Sequence, residues 1–339
     1  MSTARPLSRP TLEDVARAAG VSRATVSRVI NGSTKVSPQV RRSVRSVIEE
    51  LGFVPNTAAR ALVTQRTGTV ALVVSEPVAR MFADPFFETI VRESASELAT
   101  ADVQLVLVPS STPQECARFE RFCAGRHVDG VLLLSLHEPD SLPAVLARVG
   151  LPVVLGGRPL AGAPTIPYVD VDNETGARLA VEHLLARGRT TIGTITGPTD
   201  TRAGIDRLTG YRAGLGRLPT RRSLMVPGDF TRAGGKRAMH RLLAQEPGID
   251  AVFCASDLTA LGAIDAATAA GLKVPDDIAI VGFDDLELAR YSTPPLTTVR
   301  QPTEQLGREM ARLLLSLIRG DDRPTHVLLP TRLVLRGSS

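Results

Sequence analysis

Residues 11–62 read TLEDVARAAGVSRATVSRVINGSTKVSPQVRRSVRSVIEELGFVPNTAARAL, and this stretch predicts three short helices around one small core. Thr11 precedes an apolar helical face, and Asp14 lies three residues later, as in a capping box. Gly20 ends this first helix, because glycine accepts the left-handed conformation that commonly follows a helix. After a three-residue turn, Arg23–Ile30 form a second helix with Ser22 as its cap.

The third helix is predicted to begin at Pro38, with Ser37 as its cap, and to stop at Gly52. Its apolar residues share one face, at positions 40, 44, 47, 48 and 51. The second helix buries Val26, Val29 and Ile30 and turns a different arc outward. That outward arc is small, polar and basic, and consists of Arg23, Ala24, Ser27, Arg28 and Asn31.

Charge is distributed unevenly along the chain. Residues 1–66 contain eleven basic and four acidic side chains, a net charge of +7, while the rest contributes −2 to the total of +5. A basic head on a slightly acidic body is the pattern expected where only one end contacts a polyanion. A solvated basic face or a disordered arm are the alternative interpretations.

Two short helices across a Gly-containing turn, the second with a small and basic outer face, have the form of a helix-turn-helix. Any small helical bundle is the alternative. An arginine in the major groove can donate two hydrogen bonds to guanine, and Ala24 permits close approach. Short hydroxyl and amide groups suit phosphate oxygens. We therefore expect the head to bind double-stranded DNA.

The segment after Pro55 contains strong helix formers but barely two helical turns of them. Helices this short are marginal in water, so we expect residues 56–63 to fold when DNA is present. Leu62 is the large apolar side chain available to enter a minor groove, with packing onto the head as the alternative. The predicted domains are a DNA-binding head (1–55), a hinge helix and linker (56–66), and an effector-binding and dimerisation body (67–339).

From residue 69 the pattern changes to short β-branched runs that alternate with longer amphipathic stretches. The runs are TVALVV, VQLVLV, DGVLLL and PVVLG, followed by a second series of TIGTIT, AVFCAS and IAIVGF. Repeated βα units of this kind predict two parallel α/β lobes.

Ligands of such sheets bind beyond the carboxyl ends of the strands. The side chains that follow predicted strands are Phe86, Phe87, Arg158, Asp172, Asp257 and Asp284. Aromatic faces together with charged groups suit a polyhydroxylated or planar ligand. The alternatives are that the phenylalanines belong to the core and that the aspartates only cap the following helices.

Several other classes of protein are disfavoured. No apolar run approaches the ~18 residues of a membrane span, and the first ten residues lack the apolar segment of a secretion signal, so a cytoplasmic location is expected. The three cysteines, Cys116, Cys123 and Cys254, have no metal-type spacing. There is no GxGxxG after the first strand, no P-loop and no GxSxG, so neither a cofactor, a metal nor catalytic residues are predicted. A secreted solute-binding protein would fit the body but not the basic head.

Residues 11–62 resemble the N-terminal signature of the LacI/GalR family of bacterial transcriptional regulators. The resemblance continues through DPFF, VDGVLLL, VDVDNETGA, DRLTGYRAGL, VFCASDLTALGAIDAATAAGLKVPDDIAIVGFDD and PPLTTVRQP. It implies a periplasmic-binding-protein type I body and a homodimer on a pseudo-palindromic operator, with hinge helices in the central minor groove. It also implies a small-molecule effector, sugar-like or a related metabolite, in the cleft between the lobes. Repression is the family default, with the protein at the nucleoid when bound to DNA.

The resemblance also implies roles for individual residues. Arg23, Ala24 and Arg28 match base-reading positions, and Leu62 matches the leucine that intercalates at the operator centre. The phosphate-contacting positions are Thr11, Ser22, Thr25, Ser27, Asn31, Ser37 and Asn56. Arg207 and Phe230 join the effector-facing set, although Ile205 stands where lactose-type members have an arginine. Without trailing apolar heptads, a dimer lacking the extra tetramerising helix of some relatives is expected.

Overall fold

The computed structural model describes residues 10–30, 33–53, 66–137, 142–159, 166–218, 221–321 and 325–339. The chain separates into two compact units, residues 1–67 and 68–339. Most of the predicted hinge, with Asn56 and Leu62, lies outside the described residues, and so does Asn31.

The first unit contains the three predicted helices, α1 (Leu12–Ala18), α2 (Arg23–Ile30) and α3 (Pro38–Leu51). Thr11 and Asp14 form the expected capping box, with the Asp14 amide donating to the Thr11 hydroxyl. Ser37 caps α3 by accepting a hydrogen bond from the Val40 amide. The local signals for these helix ends are therefore confirmed.

The core of this unit differs from the prediction at one end. Val15, Val26 and Val44 are buried as expected, but Leu51 is 38% exposed. Gly52 adopts a φ of +61° and reverses the chain. The Phe53 amide then donates to the Ile48 carbonyl, and the Phe53 side chain, 7% exposed, closes the core.

The first lobe of the second unit is built on a parallel sheet. Its strands are β1 (Thr69–Val74), β2 (Gln104–Pro109), β3 (Gly130–Leu134), β4 (Val153–Gly156), β5 (Tyr168–Val171) and β11 (His326–Leu329). They lie in the order β11-β5-β4-β3-β1-β2. The helices of this lobe are α4 (Val78–Ala83), α5 (Pro85–Ala99), α6 (Pro113–Ala124), α7 (Leu142–Val149) and α13 (Thr303–Arg319).

The second lobe repeats this plan. Its strands are β6 (Ile192–Thr196), β7 (Met225–Pro227), β8 (Ala251–Cys254), β9 (Ala279–Asp284), β10 (Thr297–Arg300) and β12 (Arg332–Val334), in the order β12-β10-β9-β8-β6-β7. All of these pairings are parallel except β10 with β12. The helices are α8 (Asn173–Ala186), α9 (Arg202–Gly214), α10 (Arg232–Gln245), α11 (Asp257–Ala269) and α12 (Glu287–Tyr291).

The chain crosses between the lobes after β5, after β10 and after β11. Helix α13, which the sequence analysis did not assign, returns to the first lobe and buries Leu306, Met310 and Leu314 in its core. The predicted fold class, an all-α helix-turn-helix head followed by two parallel α/β lobes, is confirmed. Because the chain crosses at the strand ends, the carboxyl ends of both sheets border one cleft.

Candidate functional site

A cavity of about 770 Å³ lies between the two lobes at these strand ends. This volume is in the range of small-molecule sites. First-lobe residues with charged or titratable side chains in its wall are Arg80, Asp84, His137, Arg158 and Asp170. Their second-lobe counterparts are Asp200, Arg202, Arg207 and Asp284. A ligand in this cavity would therefore touch both lobes at once.

Phe86, Phe87 and Phe230 supply the aromatic wall. Phe86 and Phe87 meet edge to face at 5.3 Å, and Phe87 is almost fully buried, so it mainly supports Phe86. The Phe230 ring lies near the guanidinium carbons of Arg80, at 5.4 Å, and of Arg207, at 5.6 Å. One aromatic ring thus contacts cations from both lobes.

The backbone at three positions of the cavity wall adopts an unfavourable conformation. Ser135, Phe230 and Asp284 have φ values of +58°, +59° and +121°. A non-glycine residue in this region costs energy and persists only where the surrounding structure enforces it, which occurs often at binding sites.

Arg207 is held on several sides. Its Nε donates to Asn173 Oδ1 at 2.9 Å, and its Nη1 donates to the Ala255 carbonyl at 2.6 Å and to Asp284 Oδ1 at 3.3 Å. The guanidinium also lies 3.7 Å from the centre of the Phe283 ring. Burial lowers the pKa of Arg207, and burial raises the pKa of Asp284 to about 7. Arg207 is therefore a fixed donor at the inner wall.

A chain of ion pairs joins the lobes next to this wall. Arg158 of the first lobe has its Nε 2.8 Å from Asp170 Oδ2 and donates through Nη2 to Asp206 of the second lobe. Asp206 also binds Arg202, with Nε and Nη2 of that residue at 3.1 and 3.0 Å.

His137 forms a second bridge across the cleft. Its Nε2 lies 3.1 Å from Glu76 Oε1 in the first lobe, and its Nδ1 lies 3.0 Å from Asp200 Oδ2 in the second. Glu76 in turn accepts from Arg80 and Ser135. The hydrogen bond to Glu76, opposed by burial and helped by Asp200, raises the pKa of His137 to about 8.

The structure brings six of the eight sequence-predicted effector residues into the cavity wall: Phe86, Phe87, Arg158, Arg207, Phe230 and Asp284. Asp172 and Asp257 are not among the lining residues. Asp172 caps α8 by accepting from the Thr175 amide. Asp257 is fully buried, accepts from the Leu286 amide at 2.8 Å and from the Thr298 hydroxyl, and burial raises its pKa. Asp172 therefore caps a helix, as the alternative interpretation expected, whereas Asp257 is the first residue of α11 and Ser256 is the cap of that helix.

Sequence reasoning missed several lining residues, including Arg80, His137, Asp170, Asp200 and Arg202. A signal existed for His137 and Asp200, because each follows a predicted strand, DGVLLL or TIGTIT, by only a few residues. Arg80 lies on α4, a short helix that the sequence analysis did not assign.

The second candidate surface is the outward arc of α2. Arg23, Ala24 and Arg28 are all exposed there, as predicted for base-reading residues. Arg23 makes a long contact, 3.4 Å, with Glu13, and both side chains remain mostly exposed. Ser22 and Thr25 hydrogen-bond to each other at the start of the helix. Arg23 and Arg28 are therefore accessible on the helix that these two hydroxyl groups begin.

Two negative findings apply to the described part of the chain. None of its helices has the length and apolar character needed to cross a bilayer. It contains no group of three His, Cys, Asp or Glu side chains arranged to hold a metal ion.

Comparison with known proteins addresses both units. Residues 11–56 match the model for bacterial regulatory proteins of the lacI family, and residues 181–339 match a periplasmic binding protein-like domain. The chain is 50% identical to the HTH-type transcriptional regulator CelR of Thermobifida fusca, over 97% of this chain and 98% of that protein.

Solved structures give the same result. A transcriptional regulator CelR–cellobiose complex aligns with a TM-score of 0.79 and 48% identity, covering 98% of this chain and 100% of that one. The lac repressor dimer bound to operator and the anti-inducer ONPF aligns with a TM-score of 0.86 and 30% identity, covering 98% and 99%. The chain therefore belongs to the LacI family of bacterial regulatory proteins and is a helix-turn-helix transcriptional regulator.

Proposed function

We propose that this protein is a repressor that binds a pseudo-palindromic DNA operator as a homodimer, with an affinity set by a saccharide in the interlobe cleft. The observation that carries the proposal is the cavity, whose wall combines side chains of both lobes. An effector changes operator affinity only by binding two lobe arrangements unequally, and a site formed by both lobes has that property. Cellobiose is the first candidate, since a relative of 48% identity was solved with it.

For DNA, we propose that Arg23, Ala24 and Arg28 contact base edges. Phosphate contacts are assigned to Thr11, Ser22, Thr25, Ser27, Asn31, Ser37 and Asn56, and minor-groove insertion to Leu62. The support for the first group is its exposure on α2. Because the reading pair is Arg-Ala, we expect a guanine-containing half-site rather than the operator of lactose-type members.

In the cleft, Phe86 and Phe230 are proposed to cover the apolar faces of sugar rings, with Phe87 behind Phe86. Arg158, Arg207 and Asp284 would hydrogen-bond hydroxyl groups. Asp172 and Asp257 would act at a distance by fixing the crossing segment and the loop after β9. The support is the placement of rings and paired charges around one volume.

We further propose that the cleft binds without catalysing a reaction, and that the protein acts in the cytoplasm, where bacterial operator DNA lies. Incubation with cellobiose should return the disaccharide unchanged. Release of glucose in proportion to protein concentration would contradict this part of the proposal.

The decisive experiment selects bound sequences from a random duplex library at ~0.15 M salt, because a head of charge +7 binds DNA non-specifically in any case. Enrichment of a pseudo-palindrome of roughly 14–20 base pairs is expected. Titration of cellobiose onto that complex should then change the affinity by about 5- to 150-fold. The absence of any enriched motif, with or without cellobiose, would overturn the operator proposal.

A further inference from the structure

Asp206 lies on α9 just behind the cavity wall, with a side chain only 3% exposed. It receives hydrogen bonds from two lining guanidiniums, Arg158 of the first lobe and Arg202 of its own helix. We propose that Asp206 determines the charge specificity of the cleft: by neutralising these arginines it makes the site select uncharged saccharides and reject sugar acids and sugar phosphates. This inference rests on the proposed effector function of the cleft.

The first step is the pairing of every lining guanidinium in the described residues. Arg80 binds Glu76 at 2.8 Å, and Arg207 binds Asp284 at 3.3 Å. Arg158 is shared by Asp170 and Asp206, while Arg202 makes a two-point contact with Asp206. His137 lies between Glu76 and Asp200. Within the described chain, each of these cations therefore already contacts a carboxylate, and an anionic ligand would have to compete with that carboxylate.

The second step concerns the cost of admitting an anion. Four aspartates, Asp84, Asp170, Asp200 and Asp284, line the same volume. Burial raises the pKa of Asp84, Asp170 and Asp284, so these groups are carboxylates or neutral acids but never cations. A ligand carboxylate or phosphate would leave water and lose its hydration, which is unfavourable unless it gains a cation of its own. Rejection of a wrong ligand through unpaired or like charges is a common basis of specificity.

The third step explains why neutral hydroxyl groups are accepted. A guanidinium has five N–H donors, and a carboxylate partner uses only some of them. Arg158 and Arg202 can donate their remaining N–H groups to hydroxyl oxygens while Asp206 keeps the charge balanced. Among the described carboxylates in or behind the wall, Asp206 is the one bound to two lining arginines; the others are Glu76, Asp84, Asp170, Asp200 and Asp284. Replacement of Asp206 by asparagine therefore takes a carboxylate partner away from two lining arginines at once.

The experiment measures the binding of three disaccharides by calorimetry: cellobiose, cellobiouronic acid and the amide of cellobiouronic acid. The amide has nearly the same shape as the acid but carries no charge. The wild-type protein should bind cellobiose and the amide, and bind the acid weaker than the amide by about tenfold or more. Asp206→Asn should reduce this preference at least several-fold. Asp265→Asn also removes one carboxylate, but from the surface pair with Arg232, and should leave the preference unchanged.

Arg202→Gln tests the same idea in the opposite direction and leaves Asp206 in place. With one cation fewer, the discrimination against the acid should increase. The inference is overturned if the wild-type protein binds acid and amide equally, or if Asp206→Asn and Arg202→Gln leave their ratio unchanged.

Inorganic phosphate gives a readout that does not depend on which saccharide is the effector. Phosphate should raise the melting temperature of Asp206→Asn more than that of the wild-type protein, and adding Arg202→Gln should remove the difference. An equal rise in all three proteins would contradict the inference. Failure of cellobiose to bind, with the phosphate difference present, would instead contradict the proposed effector and leave the charge specificity supported.

Discussion

At position 28 a guanidinium projects from the outward arc of α2, about one turn beyond Ala24 and on the face opposite the buried Val26 and Val29. An exposed arginine in this position can donate two hydrogen bonds to guanine O6 and N7, and such a pair is worth ~1–3 kcal/mol of discrimination. Arg28→Ala should therefore weaken operator binding by ~1–3 kcal/mol and relax the preference at one base pair per half-site, measured by repeated sequence selection.

Arg45→Ala is the charge-matched control, because Arg45 is exposed on α3 rather than on the outward arc of α2. It should not change the preferred sequence. If Arg28→Ala lowers affinity equally for all sequences, Arg28 contacts phosphate and the base-reading role passes to Arg23.

Single residues were predictable where their role is local. The caps at Thr11 and Ser37 and the end of α3 at Gly52 depend on neighbours within four residues, and all were confirmed. Asp257 and Asp284 look alike in sequence, since each follows a strand. The partner that turns Asp257 away from the cavity is Thr298, 41 positions along the chain, and no local pattern contains that information.

At the scale of elements, the sequence analysis assigned most of the longer periodic elements but missed α13 and several short elements. β7 has three residues, too few to show alternation. Leu306, Met310 and Leu313 recur with a helical period, which indicates a helix at α13. The packing of α13 on the first lobe depends on contacts with α5, which are distant in sequence. One such contact is the Ser94 hydroxyl, which donates to the Gly307 carbonyl at 3.0 Å.

Helices α10 and α11 approach so closely that glycine is required at their contact. A Cβ at Gly262 would lie 2.0 Å from the Arg232 carbonyl oxygen. Gly262→Ala forces the two helices apart, and overpacking of this kind typically costs ~1–3 kcal/mol, or more where backbone must move. Urea unfolding of the full chain should show the second lobe destabilised by at least that amount.

Gly248→Ala is the matched control for this substitution. A Cβ there meets no atom within 4 Å, so the free energy of unfolding should change by no more than about 0.5 kcal/mol. Equal stability of the Gly262→Ala variant and the wild-type protein would show that the helices can separate at no cost.

At the scale of the whole molecule, the repeating strands predicted two lobes. The strand-end rule predicted Phe86, Phe87 and Arg158 of the cavity wall, and the family resemblance added Arg207 and Phe230. Neither predicted the bridges that join the lobes. Arg158 and Asp206 are 48 positions apart, and His137 and Asp200 are 63 positions apart. Each pair is formed only when the crossings bring the two sheets together, so it belongs to the assembled body and not to either lobe.

His137 makes this assembly sensitive to pH. Its ordinary pKa is 6.5 and the folded protein raises it to about 8, through Glu76 on one side and Asp200 on the other. The folded body therefore holds the proton more tightly than the unfolded chain. The stabilisation is fully present below pH 6.5 and is lost as pH rises through 8. A shift of this size corresponds to at most about 2 kcal/mol, and less after solvent screening of a side chain that is 30% exposed.

The test is the free energy of unfolding of the full chain between pH 6 and 9, in the wild-type protein and in His137→Gln. The free energy of unfolding of the wild-type protein should fall between pH 6.5 and pH 8. The Arg80–Glu76 ion pair persists across this range, because arginine stays charged. His137→Gln should flatten this part of the profile, since glutamine can bridge the carboxylates but cannot gain a charge. His240→Gln, a change on the exposed face of α10, should keep the wild-type slope. Parallel profiles for wild-type and His137→Gln would mean that the bridge between the lobes does not contribute to the stability of the folded body.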